Sequence, residues 1–153
     1  MRQKWHLIWP WFPVLAMFAV ISWFSAQPGE VSDAQSGMVR ELITAQWQWM
    51  DSLVRKLAHV ALFFGLGAFA GFAWLQTDPK EQKCFRKAIQ RAVILCAALG
   101  ALDEFHQYFV PERAALISDV LLDTVGATLG ALFAVGIARI VILRSELRSN
   151  QKS

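Results

Sequence analysis

Apolar residues run in long blocks along this chain, and polar residues gather in short clusters between them. The first block, "LIWPWFPVLAMFAVISWFSA" at 7–26, has the length of one bilayer span, since about 20 apolar residues cross ~30 Å of hydrocarbon. Arg2 and Lys4 precede it, as they would a secretory signal. Phe24 is a poor residue near a small-x-small cleavage site, however, and the run is long for the core of a signal peptide. It therefore reads as a retained first span, with Trp5, Trp9 and Trp11 at the headgroup level. Residues 27–37, "QPGEVSDAQSG", read as a loop from their Pro, Gly and Ser content.

Residues 38–54 follow a different pattern. Val39, Leu42, Ile43, Trp49, Met50 and Leu53 fall on one helical side, with Arg40, Glu41, Gln48 and Asp51 mostly on the other. A helix lying in the membrane interface is expected there. Further apolar blocks at 57–75, about 88–109 and about 116–143 predict three more spans. A hydrophilic segment at 76–91 and a short turn at Pro111, Glu112 and Arg113 separate them, and the tail "RSELRSNQKS" is expected to be frayed. The expected fold class is an all-α integral membrane protein. Residues 1–153 would form a single domain of four transmembrane helices, with the interfacial helix between the first and second.

Composition agrees with this picture. The 153 residues are 56% hydrophobic and only 18% charged, richer in apolar residues than an ordinary soluble domain. The net charge of +3 has a topological explanation. Eleven of the Lys and Arg residues lie at the two ends and in the 76–91 segment, and four (Arg40, Arg55, Lys56, Arg113) lie on the other side. The positive-inside rule then puts both termini in the cytoplasm. No basic face with interleaved aromatics is present, so nucleic acid is not an expected partner. Cys84 and Cys96 show neither a disulfide framework nor a metal spacing, and read as an inert thiol and a small core residue.

The candidate chemistry sits at the outer ends of the spans. Asp103, Glu104, His106 and Gln107 crowd the end of the third. Asp103 lies 12 residues beyond Arg91, or about 18 Å along a helix, which places it inside the outer half of the hydrocarbon. The second span opens with "RKLAH", placing Arg55 and His59 on one face beside Lys56; the fourth opens with Asp119 and Asp123, just after Arg113. Each charge at such depth costs about 2.5–3.5 kcal/mol on insertion scales unless paired or wet. These groups can satisfy one another only if the helices bundle with the polar faces inward. Gly126 and Gly130 on the fourth span, and Gly65, Gly67 and Gly71 on the second, permit close approach. A packing role for the ion network stands beside the functional one. His106 is expected to face the headgroups and Tyr108 to anchor at the interface.

The ordered pattern K-x-x-H, D-E-x-x-Q, P-x-R and D-x-x-x-[ND]-x-x-G, with "FSAQPG" at 24–29 closing the first span, resembles the VanZ-like family of bacterial membrane proteins over nearly the whole chain. The residues that match are Lys56, His59, Asp103, Glu104, Gln107, Arg113, Asp119, Asp123 and Gly126. At 123 this chain has Asp where many relatives have Asn. The resemblance implies a location in the bacterial inner membrane and a role in the cell envelope. The family's named member is associated with resistance to the glycopeptide teicoplanin; the resemblance implies no particular reaction.

Two functions follow for the same cluster. An enzyme acting on a lipid-linked or amphiphilic envelope substrate would use Asp103 or Glu104 as acid or base, with His59, Asp119 and Asp123 assisting. Arg55, Lys56, Gln107 and Arg113 would hold the substrate, a phosphate or carboxylate being suited to the guanidinium fork. Serine nucleophiles offer little, Ser118 being the nearest candidate. A non-catalytic binder of anionic lipid or amphiphile headgroups would use the same residues without proton transfer. A permease subunit has less support, because repeated or broken helices are missing. His59 with Asp103, Asp119 and Asp123 shows no ligand spacing such as H-E-x-x-H, so neither a metal nor another cofactor is expected. Membrane lipids are the expected partners.

Overall fold

The structure, a computed structural model, describes residues 5–27, 49–77, 85–111 and 116–151. All the secondary structure in these residues is helical. A single turn at Trp5–Ile8 passes through a 3-10 turn at Trp9–Trp11 into α1, Phe12–Ser25. The tighter turn has a local cause: Pro10 and Pro13 carry no N–H to donate into the helical ladder. Then follow α2 (Trp49–Thr77), α3 (Phe85–Gln107) and α4 (Ile117–Asn150).

Two boundaries differ from expectation. Trp49 to Val54 form the opening turns of α2, because nothing in "WMDSLVRK" breaks a helix. Of the interfacial helix expected over 38–54, residues 38–48 lie outside the described residues. The polar tail is helical as far as Asn150 rather than frayed. Its Glu, Leu and Arg residues favour a helix, and neither Gly nor Pro follows Gly136.

Two helices, Leu53–Thr77 and Ile117–Asn150, are long and apolar enough to cross a membrane. Trp9–Ser25 is apolar but shorter. α3 carries Arg91 at one end of its apolar run and Asp103 and Glu104 at the other. The outer surface of the bundle is extensively apolar, with Ile117 82%, Trp9 73% and Ile94 70% exposed. A water-facing monomer rarely exposes so many large apolar side chains.

α2 lies at the centre and touches each of the other three helices. Its contact with α4 is the closest. A Cβ on Gly67 would run into the carbonyl oxygen of Ala127, one on Gly130 into that of Phe64, and one on Gly126 would stand 2.6 Å from that of Val60. Small residues let the two backbones touch, the usual device where water cannot drive helices together. The core uses Ile21, Phe63, Leu66, Ala70, Cys96 and Ala127, all fully buried. On α3 the buried seam runs Ala88, Ala92, Cys96, Gly100 at a spacing of four. Cys96 is thus the small core residue expected of it; Cys84 lies outside the described residues.

Candidate functional site: a polar cluster at one end of the bundle

The α3 seam does not stop at Gly100. It continues through Asp103 and Gln107, which are 2% and 5% exposed. The α1 seam of Val14 and Ile21 likewise ends on a polar residue, the fully buried Ser25. The two seams meet there. Ser25 Oγ donates to Asp103 Oδ2 at 2.7 Å, and Gln107 Nε2 donates to the same oxygen at 2.9 Å and to Ser25 Oγ at 3.3 Å. Three polar side chains thus close a triangle between helices 78 residues apart in sequence. Asp103 Oδ1 is buried and has no hydrogen-bond partner among the described residues.

Ser25 corrects the sequence reading, in which serine played little part at the site. Ser118, the candidate named there, is exposed and donates to Asp119 Oδ1 at 3.2 Å. The one trace of Ser25 in the sequence was its place in "FSAQPG", the segment that closes the first span.

Glu104 is 6% exposed and points elsewhere, as a turn of about 100° per residue requires. Its Oε2 accepts from the backbone N–H of Leu116 at 2.8 Å, where α4 begins. A carboxylate there meets the positive end of the helix dipole and an N–H that no turn of the helix would satisfy.

α2 and α4 contribute the rest. Lys56 Nζ lies 3.3 Å from Asp119 Oδ1, both side chains being partly exposed. One turn deeper, His59 Nδ1 lies 3.7 Å from Asp123 Oδ2. The His59 ring stacks on Phe63 with centroids 6.5 Å apart. Asp123 is 1% exposed, and neither of its oxygens finds a hydrogen bond among the described residues. Gly100 packs beside this pair: a Cβ there would make ordinary contact, 3.4 Å from the Phe63 ring and 3.8 Å from the Asp123 Cβ. Glu104 is within electrostatic reach of Asp103, Asp119 and Asp123, and Asp123 is within reach of Asp103 and Asp119.

The structure thus brings Lys56, His59, Asp103, Glu104, Gln107, Asp119 and Asp123 to one end of the bundle. Arg55 stands one turn ahead of His59 on α2, partly exposed. Arg113 lies outside the described residues. His106 and Tyr108 point outward, Tyr108 being 71% exposed. Among the described residues, no three His, Cys, Asp or Glu side chains stand together as a metal-ion site would require. The arrangement is layered. Carboxyl groups with open hydrogen-bonding capacity are buried, and a lysine stands at the rim.

Comparison with curated proteins and with solved structures finds no match. A family model described as VanZ/LLP1 matches residues 10–142, the greater part of the chain and all of this cluster. The chain belongs to the VanZ/LLP1 family.

Proposed function

We propose that the protein is a four-span inner-membrane protein with both termini in the cytoplasm. Its polar cluster lies in the outer half of the bilayer and acts on the headgroup of a lipid-linked or amphiphilic envelope compound. The observation that carries this reading is the pair Asp103 and Asp123. Both are buried on facing helices; Asp103 Oδ1 and Asp123 Oδ1 lack a hydrogen-bond partner among the described residues, and Asp123 Oδ2 faces only His59 Nδ1 at 3.7 Å. Holding helices together does not require orphaned carboxyl oxygens, which cost about 1–3 kcal/mol or more each. Proton transfer to a substrate does require an oxygen free to act. Asp103 is the acid or base in this reading, Ser25 and Gln107 orient it, and His59 and Asp123 form a second proton-carrying pair. Lys56, with Arg55 and Arg113, holds the headgroup.

A non-catalytic binder is the second reading. The exposed Lys56–Asp119 rim favours it, since that pair offers headgroup contacts without any proton chemistry. Complementation separates the two. A strain lacking the protein is assayed for susceptibility to teicoplanin and for membrane lipid composition, with wild type, Asp103→Asn and Lys56→Ala supplied in turn. The enzyme reading expects Asp103→Asn to fail at wild-type protein levels and Lys56→Ala to restore in part. Full restoration by Asp103→Asn would sink it, and failure of Lys56→Ala alone would establish the binder.

A further inference from the structure

Two grooves on the described surface invite comparison. One, of about 300 Å³, lies between α2 and α4 far from the cluster and is lined by Phe72, Leu75, Ile137 and Val141 among others. The other, of about 430 Å³, lies between α3 and α4 at the cluster end. Its walls are Ala101, Phe105, Leu116, Ile117 and Val120, and it also reaches Glu104. Glu104 is therefore shared: it lines the groove, and its carboxylate belongs to the polar cluster. The wall residues Phe105 and Ile117 are 62% and 82% exposed. In a membrane this groove opens sideways into hydrocarbon, so its natural occupant is a hydrocarbon chain.

The charge layout chooses the headgroup. Next to Val120 stands Asp119, paired with Lys56. Acidic groups lie on the buried side (Glu104, Asp103, Asp123) and the ammonium of Lys56 on the exposed side. A headgroup of matching polarity turns N–H donors inward and a phosphate outward. The geometry points to the α3–α4 groove as the seat of one acyl chain of an aminophospholipid, its ammonium toward Glu104 and Asp119 and its phosphate toward Lys56. This inference rests on the proposed outer-leaflet site. It names the substrate class and makes the approach lateral, from lipid rather than from water.

Photo-crosslinking tests it. The full-length protein is reconstituted in bilayers with traces of phosphatidylethanolamine, phosphatidylcholine or phosphatidylglycerol carrying a diazirine in one chain. Crosslinks are then mapped by peptide mass spectrometry. The ethanolamine probe should label 101–109 and 116–120 about tenfold over the control groove at 72–76 and 134–142, the ratio given by ~1.4 kcal/mol of preference. The choline probe has the same charges but no N–H, and should show no such enrichment. Val120→Phe fills the groove from a partly exposed position and should abolish the enrichment. Glu104→Gln should make the ethanolamine and choline probes equal. Equal labelling of the two grooves overturns the inference, as does a glycerol or choline probe that matches ethanolamine. If labelling is flat while Asp103→Asn still fails to complement, the groove assignment alone falls; if Asp103→Asn also complements, the proposed function falls with it.

Discussion

Asp103 and Glu104 are sequence neighbours with different physical tasks. Asp103 closes a triangle with Ser25 and Gln107 inside the bundle, whereas Glu104 accepts from the N–H of Leu116, the residue that caps α4. A substitution therefore has different consequences according to which hydrogen bonds it removes. Ser25→Ala takes a donor from a buried carboxyl group and should lower stability by about 1–3 kcal/mol, measured as a fall in the melting temperature in detergent. Asp123→Asn should do the opposite. The wild-type carboxyl is buried with His59 at 3.7 Å and no hydrogen bond among the described residues. An amide of the same shape removes a poorly compensated charge, so the melting temperature should hold or rise while complementation is lost. That signature marks a residue kept for function at the expense of stability. A drop in stability comparable with that of Ser25→Ala would instead assign Asp123 to packing.

Among the elements, the α2–α4 contact sets the geometry of the cluster, because it carries both the Lys56–Asp119 and the His59–Asp123 pairs. Gly67, Gly126 and Gly130 hold the two backbones in contact. Gly130→Ala should force the helices apart, at a cost of about 1–3 kcal/mol, the usual range for overpacking. Gly136, on the same helix, has nothing within 4 Å of where a Cβ would stand. Gly136→Ala should therefore leave the melting temperature unchanged or raise it slightly, alanine being the better helix former. Equal effects at the two positions would mean that the contact is not what holds α2 and α4 together. The G-x-x-x-G spacing at 126 and 130 was visible in the sequence. The facing carbonyls of Val60 and Phe64 were not, since a repeat of four shows that a helix face is smooth but not which helix it meets.

For the whole molecule, the proposed orientation makes a direct prediction. In a cysteine-free background, Gln3→Cys and Asn150→Cys should react with an impermeant maleimide only after the cells are opened, and Glu112→Cys should react in intact cells. Labelling of either terminus from outside would overturn the four-span arrangement. The physical basis is the distribution of Lys and Arg, of which the proposed arrangement puts eleven on one side and four on the other.

Though it missed the early start of α2 at Trp49 and the extension of α4 to Asn150, the sequence by itself determined the all-helical class, the order and approximate places of the four helices, the family, and most of the residues that gather at the cluster. Each of these is local information: hydropathy over a span, charge at its flanks, and polar residues spaced to share a helical face. Tertiary structure alone decided which polar groups are partners. Opposite charges predicted ion pairing in general, yet Asp103 is bound by a serine and an amide and by no cation within ion-pair distance among the described residues. Ser25 entered the site only when α1 packed with its buried seam against α3, because a serine at the end of an apolar span is silent until a neighbour supplies the carboxyl it meets. The division of labour between Asp103 and Glu104, and the groove that Glu104 shares, likewise depend on where α4 begins relative to α3. That relation is set by packing across the bundle and leaves no mark on the local pattern of either helix.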